Sequence, residues 1–190
     1  MSKIAGYPTS ILAVILAIAL GWTAVVRADQ NDPRLDQLFF QLQDVDDPRQ
    51  ARLIEQMIWG VWLESKSPTL ELLMGRVIKT MERKKYAEAL ELLHSIVAIA
   101  PNYAEGWNKR ATVYFLMGRY GDSEADVERA LDLEPRHFGA LSGLGLIYMR
   151  LKEDAVALDA FERALIVNPH LGRAKAAVKR LRPAVKGKSI

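Results

Sequence analysis

The stretch AEGWNKRATVYFLMGRYGDSEADVERALDLEPRH (residues 104–137) lies without a gap over FGALSGLGLIYMRLKEDAVALDAFERALIVNPHL (residues 138–171). The closing segments VERALDLEP and FERALIVNP are close to identical. Prolines mark the same period: Pro68, Pro101, Pro135 and Pro169 are 33, 34 and 34 residues apart, and Pro33 lies 35 before Pro68. Self-similarity near this period indicates a stack of supersecondary units, none of which can bury its apolar face alone.

Each unit reads as two helices. Leu141, Leu144, Ile147, Tyr148 and Leu151 recur at spacings of three and four, an amphipathic helical face. Beyond KED, residues Val156, Ala157, Ala160, Phe161, Ala164 and Leu165 do the same. Pro169 has no amide hydrogen to extend the second helix, and it biases Asn168 away from helical geometry.

This pattern resembles the tetratricopeptide repeat, whose signature runs W-x2-L-G-x2-Y, then A-x3-F, then P. Leu141, Leu144, Gly145, Tyr148, Ala157, Phe161 and Pro169 fill every position, with Leu for Trp. Trp107, Ala111, Tyr114, Val127 and Pro135 fill the preceding unit, which departs from it at Arg110 and Ser123. A weaker unit, 70–103, matches at Leu73, Val77, Tyr86, Ala89, Leu93 and Pro101, with Thr80 for Tyr. The resemblance implies an all-α fold, a right-handed superhelical stack of helix-turn-helix hairpins with capping helices. Small residues at Ala111, Gly145, Ser123, Ala157, Ala130 and Ala164 are expected where helices approach closely.

Four segments follow: 1–28; a degenerate hairpin, 29–69, expected to stack ahead of the first repeat; three repeats, 70–103, 104–137 and 138–171; and a basic capping helix with its tail, 172–190. Asp32-Pro33 and Asp47-Pro48 each supply a cap and the residue favoured at the first helical position. Leu53, Ile54, Met57, Ile58, Val61 and Trp62 form an apolar stripe. Ala174, Ala177, Val178 and Leu181 suit a helix that covers the last hairpin, since terminal repeats otherwise expose apolar surface.

Residues 1–28 have the layout of a secretory signal: Lys3, the uncharged run through Val26, then Val26-Arg27-Ala28 before DQNDPR. Cleavage after Ala28 predicts a periplasmic protein. Arg27, unusual beside a cut site, supports the other reading, an uncleaved inner-membrane anchor through residues 11–26 with the repeats in the periplasm. Without 1–28 the chain carries 24 basic and 23 acidic side chains, and a global nucleic-acid signature disappears. No acid follows Glu162, so the C-terminal basic residues stand apart; they are read as the solvated face of the cap, the alternative being contact with anionic lipid or an acidic partner.

Catalytic chemistry finds no constellation. There is no cysteine, and His94, His137 and His170 have no metal-ligand partner at i, i+4 helical spacing. No catalytic residue, metal or cofactor is expected. The aromatic and basic mixture GWNKRATVYFLMGRY (106–120) reads as scaffold rather than a base-stacking surface: Trp107, Ala111, Tyr114 and Tyr120 inward, Lys109 and Arg119 wet, and Arg110 with its head in solvent. The resemblance further implies that the first helices line a groove for another protein or peptide segment. Met74, Ile78, Met81, Asn108, Thr112, Phe115, Ser142, Leu146 and Met149 would project into it, with Glu71 and Glu105 at its edge. Met74, Ile78, Gly139 and Gly143 occupy most positions of the family's Lys/Asn/Arg carboxylate clamp, so such a clamp is not expected. The chain therefore reads as a non-enzymatic interaction scaffold or assembly adaptor of the bacterial periplasm. The alternative is a membrane-anchored subunit organising a larger envelope complex.

Overall fold

A computed structural model of the protein describes residues 29–187; the expected signal or anchor segment, 1–28, lies outside the described residues. Among the described residues the fold is all helical. A short 3-10 turn (Asp29–Asn31) leads into α1 (Arg34–Asp44), α2 (Pro48–Leu63), α3 (Pro68–Glu82), α4 (Tyr86–Ile99), α5 (Ala104–Leu116), α6 (Tyr120–Leu133), α7 (Phe138–Leu151), α8 (Asp154–Val167) and α9 (Gly172–Gly187). None of these helices is long and apolar enough to cross a membrane.

The period seen in the prolines is also written in the backbone. Within each of three hairpins the amide of Lys85, Arg119 or Glu153 donates to the carbonyl of Thr80, Tyr114 or Tyr148 at 2.9 Å. The residue before each donor, Lys84, Gly118 or Lys152, has positive φ (57°, 74° and 64°). This is a Schellman closure, with its left-handed residue just past the helix end. Between hairpins, Ala100, Glu134 and Asn168 close the second helices onto Ile96, Ala130 and Ala164. Each proline follows one of these amides and stops the helix there.

Packing follows from small residues at the helix contacts. Ala89, Ala111, Ala130, Ala157 and Ala164 are buried. A Cβ on Gly145 would lie 2.7 Å from the Phe161 ring, so only glycine lets α7 and α8 approach this closely. Ser123, where the repeat usually has Ala, is buried with its hydroxyl donating to the Ala111 carbonyl at 2.8 Å. That bond removes the cost of an unpaired buried hydroxyl. On the last hairpin, Ala174, Val178 and Leu181 of α9 join Ala157 and Phe161 in one core.

The α1–α2 hairpin does not simply stack ahead of the first repeat. Its core residues pack with Phe138, Val167 and Leu171, at the two later inter-repeat turns. Polar bonds run along the same edge of the stack. Gln30 donates to the Asn102 carbonyl, and the Tyr103 hydroxyl to that of Leu63. Arg136 pairs with Asp36 at 2.6 Å. The Gln43 amide donates to Ile166 and Val167, while Asn168 donates to Glu55. The reason for this placement is the Trp59 and Trp62 pair. These indoles need apolar cover, and they find it against His137 and Phe138.

Candidate functional site

At the start of the third repeat a buried polar centre fixes α2 on the stack. His137 is fully buried and stacks on Trp62, with ring centroids 4.1 Å apart and planes 10° from parallel. Its Nδ1 accepts from the Ala140 amide at 3.1 Å, so in the neutral ring Nε2 carries the proton and donates to Glu105, 3.0 Å away. Glu105 also accepts from Asn108 at 2.8 Å and pairs with Lys109 at 2.7 Å. Lys109 in turn sits over the Trp59 ring, 5.1 Å from its centre. Burial alone would raise the Glu105 carboxyl, but the Lys109 charge and the His137 bond outweigh it and hold it at about 2.

Three sequence expectations change here. Glu105 is not an edge residue but buried, and Lys109 is not free in water but its counter-ion. Arg110 does not send its head to solvent either. Its guanidinium makes two 2.7 Å bonds to Asp126, itself buried, while lying over Trp107 and Tyr114. The Asp126 bond raises the Arg110 pKa further. Arg119 remains largely exposed, paired with Asp122 and placed over Tyr114.

Beside this centre lies an open pocket of about 1030 Å³. Pro48, Arg52, Glu55 and Trp59 supply one wall, from a single face of α2. The floor is Phe138, Gly139, Ser142, Leu146 and Met149 of α7, with Phe161 behind. Leu171, Arg173, Ala174, Lys175, Ala177 and Arg180 supply the other wall, from α9 and the turn before it. Gly139 sets the shape: a Cβ there would be 2.5 Å from Trp59 Cη2. The indole can reach the floor only because the side chain is missing.

Of the nine residues expected in a groove, the pocket gathers Ser142, Leu146 and Met149. Met74 is instead buried in the core of the first repeat, with Ile78 and Met81 half-buried against it. Asn108 is buried and spent on Glu105. Thr112 is exposed, its hydroxyl donating to the Asn108 carbonyl, and Phe115 packs on Tyr120. Glu71 is exposed on α3. The sequence reading missed Trp59, Arg52, Arg173, Lys175 and Arg180. On α2 a signal was available in the three-and-four spacing of Arg52, Glu55 and Trp59, and on α9 only in the run of basic residues, but nothing in the chain said which helix those faces meet.

Among the described residues, no group of three or more His, Asp or Glu side chains is arranged to hold a metal. His94 bonds the Tyr114 hydroxyl, and His170 bonds the Leu42 carbonyl. What the arrangement offers is a preformed surface, apolar at the base and polar at the rim, the usual anatomy of a ligand or peptide site.

Comparison with known proteins agrees with this architecture. The tetratricopeptide repeat sequence profile matches residues 108–179. A curated TPR repeat-containing protein of Rhizobium etli is 46% identical over 136 residues, which cover 72% of this chain and 67% of that protein. Among solved structures, the Sgt2 TPR domain from Aspergillus fumigatus superposes with a TM-score of 0.60 at 24% identity, covering 63% of this chain and 81% of that one. The first TPR of Spaghetti (RPAP3), bound to the HSP90 peptide SRMEEVD, gives 0.58 at 23% identity, covering 60% and 91%. The repeat period, the helix-turn-helix stack and the relative in Rhizobium together place the chain in the tetratricopeptide repeat family.

Proposed function

We propose that the protein is a non-enzymatic interaction scaffold that holds a segment of a partner protein in the pocket between α2, α7 and α9. The observation that carries this reading is the preformed, mostly apolar floor of Phe138, Leu146 and Met149 with Ser142 beside them, on the helix face expected to line a TPR groove. Structural neighbours, the RPAP3 TPR domains bound to HSP90 and HSP70 peptides, support it as examples of what the fold can do. Partner binding is tested by placing a photo-crosslinking residue at Leu146 in cells. A discrete crosslinked protein is expected, and it should vanish in the Leu146→Glu, Met149→Glu double variant while helical content is unchanged. Capture that survives those substitutions would put the interface elsewhere.

The reading places the scaffold in the periplasm as an assembly adaptor, after cleavage of residues 1–28. Val26-Arg27-Ala28 followed by a polar stretch supports that cut. Arg27 itself favours a second reading, a retained inner-membrane anchor through residues 11–26 with the repeats organising a larger envelope complex. The N-terminal residue of the processed protein separates the two. A new terminus at Asp29 supports release, and an intact Met1 or Ser2 terminus supports the anchor.

A further inference from the structure

Among the described residues, cations without an ion pair also occur elsewhere, Arg76, Arg83 and Lys84 among them, but at the pocket four of them converge on one cavity. Arg34, Arg110, Arg119, Arg136 and Arg182 each hold a carboxylate. Among the described residues, Arg52, Arg173, Lys175 and Arg180, all lining the pocket, have no such ion pair; Arg180 instead donates to the Met149 sulfur on the floor at 3.4 Å. The one acidic lining residue, Glu55, already accepts from Asn168. Four unpaired cations thus frame an apolar base. Three of them come from α9, in the basic C-terminal stretch, whose two expected roles are a solvated face and contact with an acidic partner or lipid.

We propose, building on the scaffold reading above, that the pocket takes an acidic amphipathic peptide segment. One large apolar side chain sits on Leu146 and Met149 under the edge of Trp59. Flanking carboxylates meet Arg52 across one wall and Arg173, Lys175 and Arg180 along the other. Charge complementarity selects this occupant, since a basic segment would meet four like charges and a purely apolar one would leave the rim cations unanswered. The cations belong to α2 and α9 rather than to the repeat helices, so acid recognition arises here from the elements that flank the stack. A single-chain anionic lipid shares the charge but fits the shape less well, because the pocket is open and would leave its tail wet.

The test uses the protein as the cell processes it and a displayed library of random dodecapeptides. Enriched peptides should carry net negative charge around at least one large aliphatic or aromatic residue. A labelled copy of the best binder should lose affinity about tenfold or more when its carboxylates are replaced by amides, and it should weaken with added salt. Arg173→Glu combined with Lys175→Glu should abolish its binding. Arg83→Glu with Lys84→Glu, exposed cations away from the pocket, should leave it unchanged; circular dichroism checks that both variants fold. Neutral or basic enriched peptides, no enrichment, or indifference to the α9 charge reversal would each overturn the proposal. So would binding of oleate by the same cations in preference to any peptide. If the Leu146 crosslink persists while these results fail, the acid-recognition chemistry is wrong and the scaffold reading stands. Loss of both removes the pocket as the site.

Discussion

Glu105 shows how much one carboxylate can organise. It gathers His137, Asn108 and Lys109, and through His137 and Lys109 it supports both tryptophans of α2. Its folded pKa of about 2 lies below the ordinary value of 4.5. A depressed carboxyl contributes stability that is complete above the unfolded pKa and is lost as pH falls through the folded one. Docking of α2 should therefore weaken between pH 4.5 and about 2, read as a change in tryptophan fluorescence. Glu105→Gln should flatten that acid limb and lower stability at neutral pH by roughly 1–3 kcal/mol, since Lys109 loses its counter-ion. Gly139 acts at the same scale: Gly139→Ala pushes a methyl into the Trp59 ring and should displace the indole, at a cost of roughly 1–3 kcal/mol. A changed Trp59 fluorescence with retained helicity would confirm the local origin.

At the scale of helices and turns, the three Schellman closures give a matched comparison within one protein. Gly118 adopts its left-handed conformation freely, while Lys84 and Lys152 hold it against Cβ crowding that costs roughly 1–2 kcal/mol. Lys152→Gly should raise stability by up to about 1 kcal/mol, less the greater freedom glycine gains in the unfolded chain, and Gly118→Ala should lower it by a similar amount. Urea denaturation checks both signs. These elements are also where the sequence was most readable. Prolines 33 or 34 residues apart and small residues at Ala111, Gly145 and Ala157 dictate helix ends and close contacts locally, so the repeats are legible in the sequence alone. Met74 and Glu105 were not legible for the opposite reason. Their surroundings are set by residues far along the chain: Tyr103 and Val113 enclose the core around Met74, and His137 caps Glu105.

For the whole molecule, the α1–α2 hairpin is the feature that local rules could not place. A plain repeat stack gains its stability from units and their nearest neighbours, so its ends fray independently. Here Gln43 is bonded to Ile166 and Val167, and Leu63 accepts from the Tyr103 hydroxyl, joining the first and last inter-repeat turns to one hairpin. Unfolding should accordingly be a single transition. Gln43→Ala with Trp62→Ala should split it, with amide exchange in α8 and α9 speeding up before that in α3 and α4. Uniform protection loss across all helices in that variant would show that the hairpin does not couple them.

That same edge-on hairpin has a consequence for how the array can change over evolutionary time. Solenoids ordinarily lengthen or shorten by duplicating or deleting a unit, because each new unit asks only for a compatible neighbour. In this protein the hairpin must reach the turns at Tyr103, Arg136 and Asn168 at once, and its fixed span works as a ruler laid across them. An inserted repeat would move the last mark beyond its reach and separate α9 from α2, dissolving the pocket between them. The number of repeats is therefore gauged by a segment that is not itself a repeat.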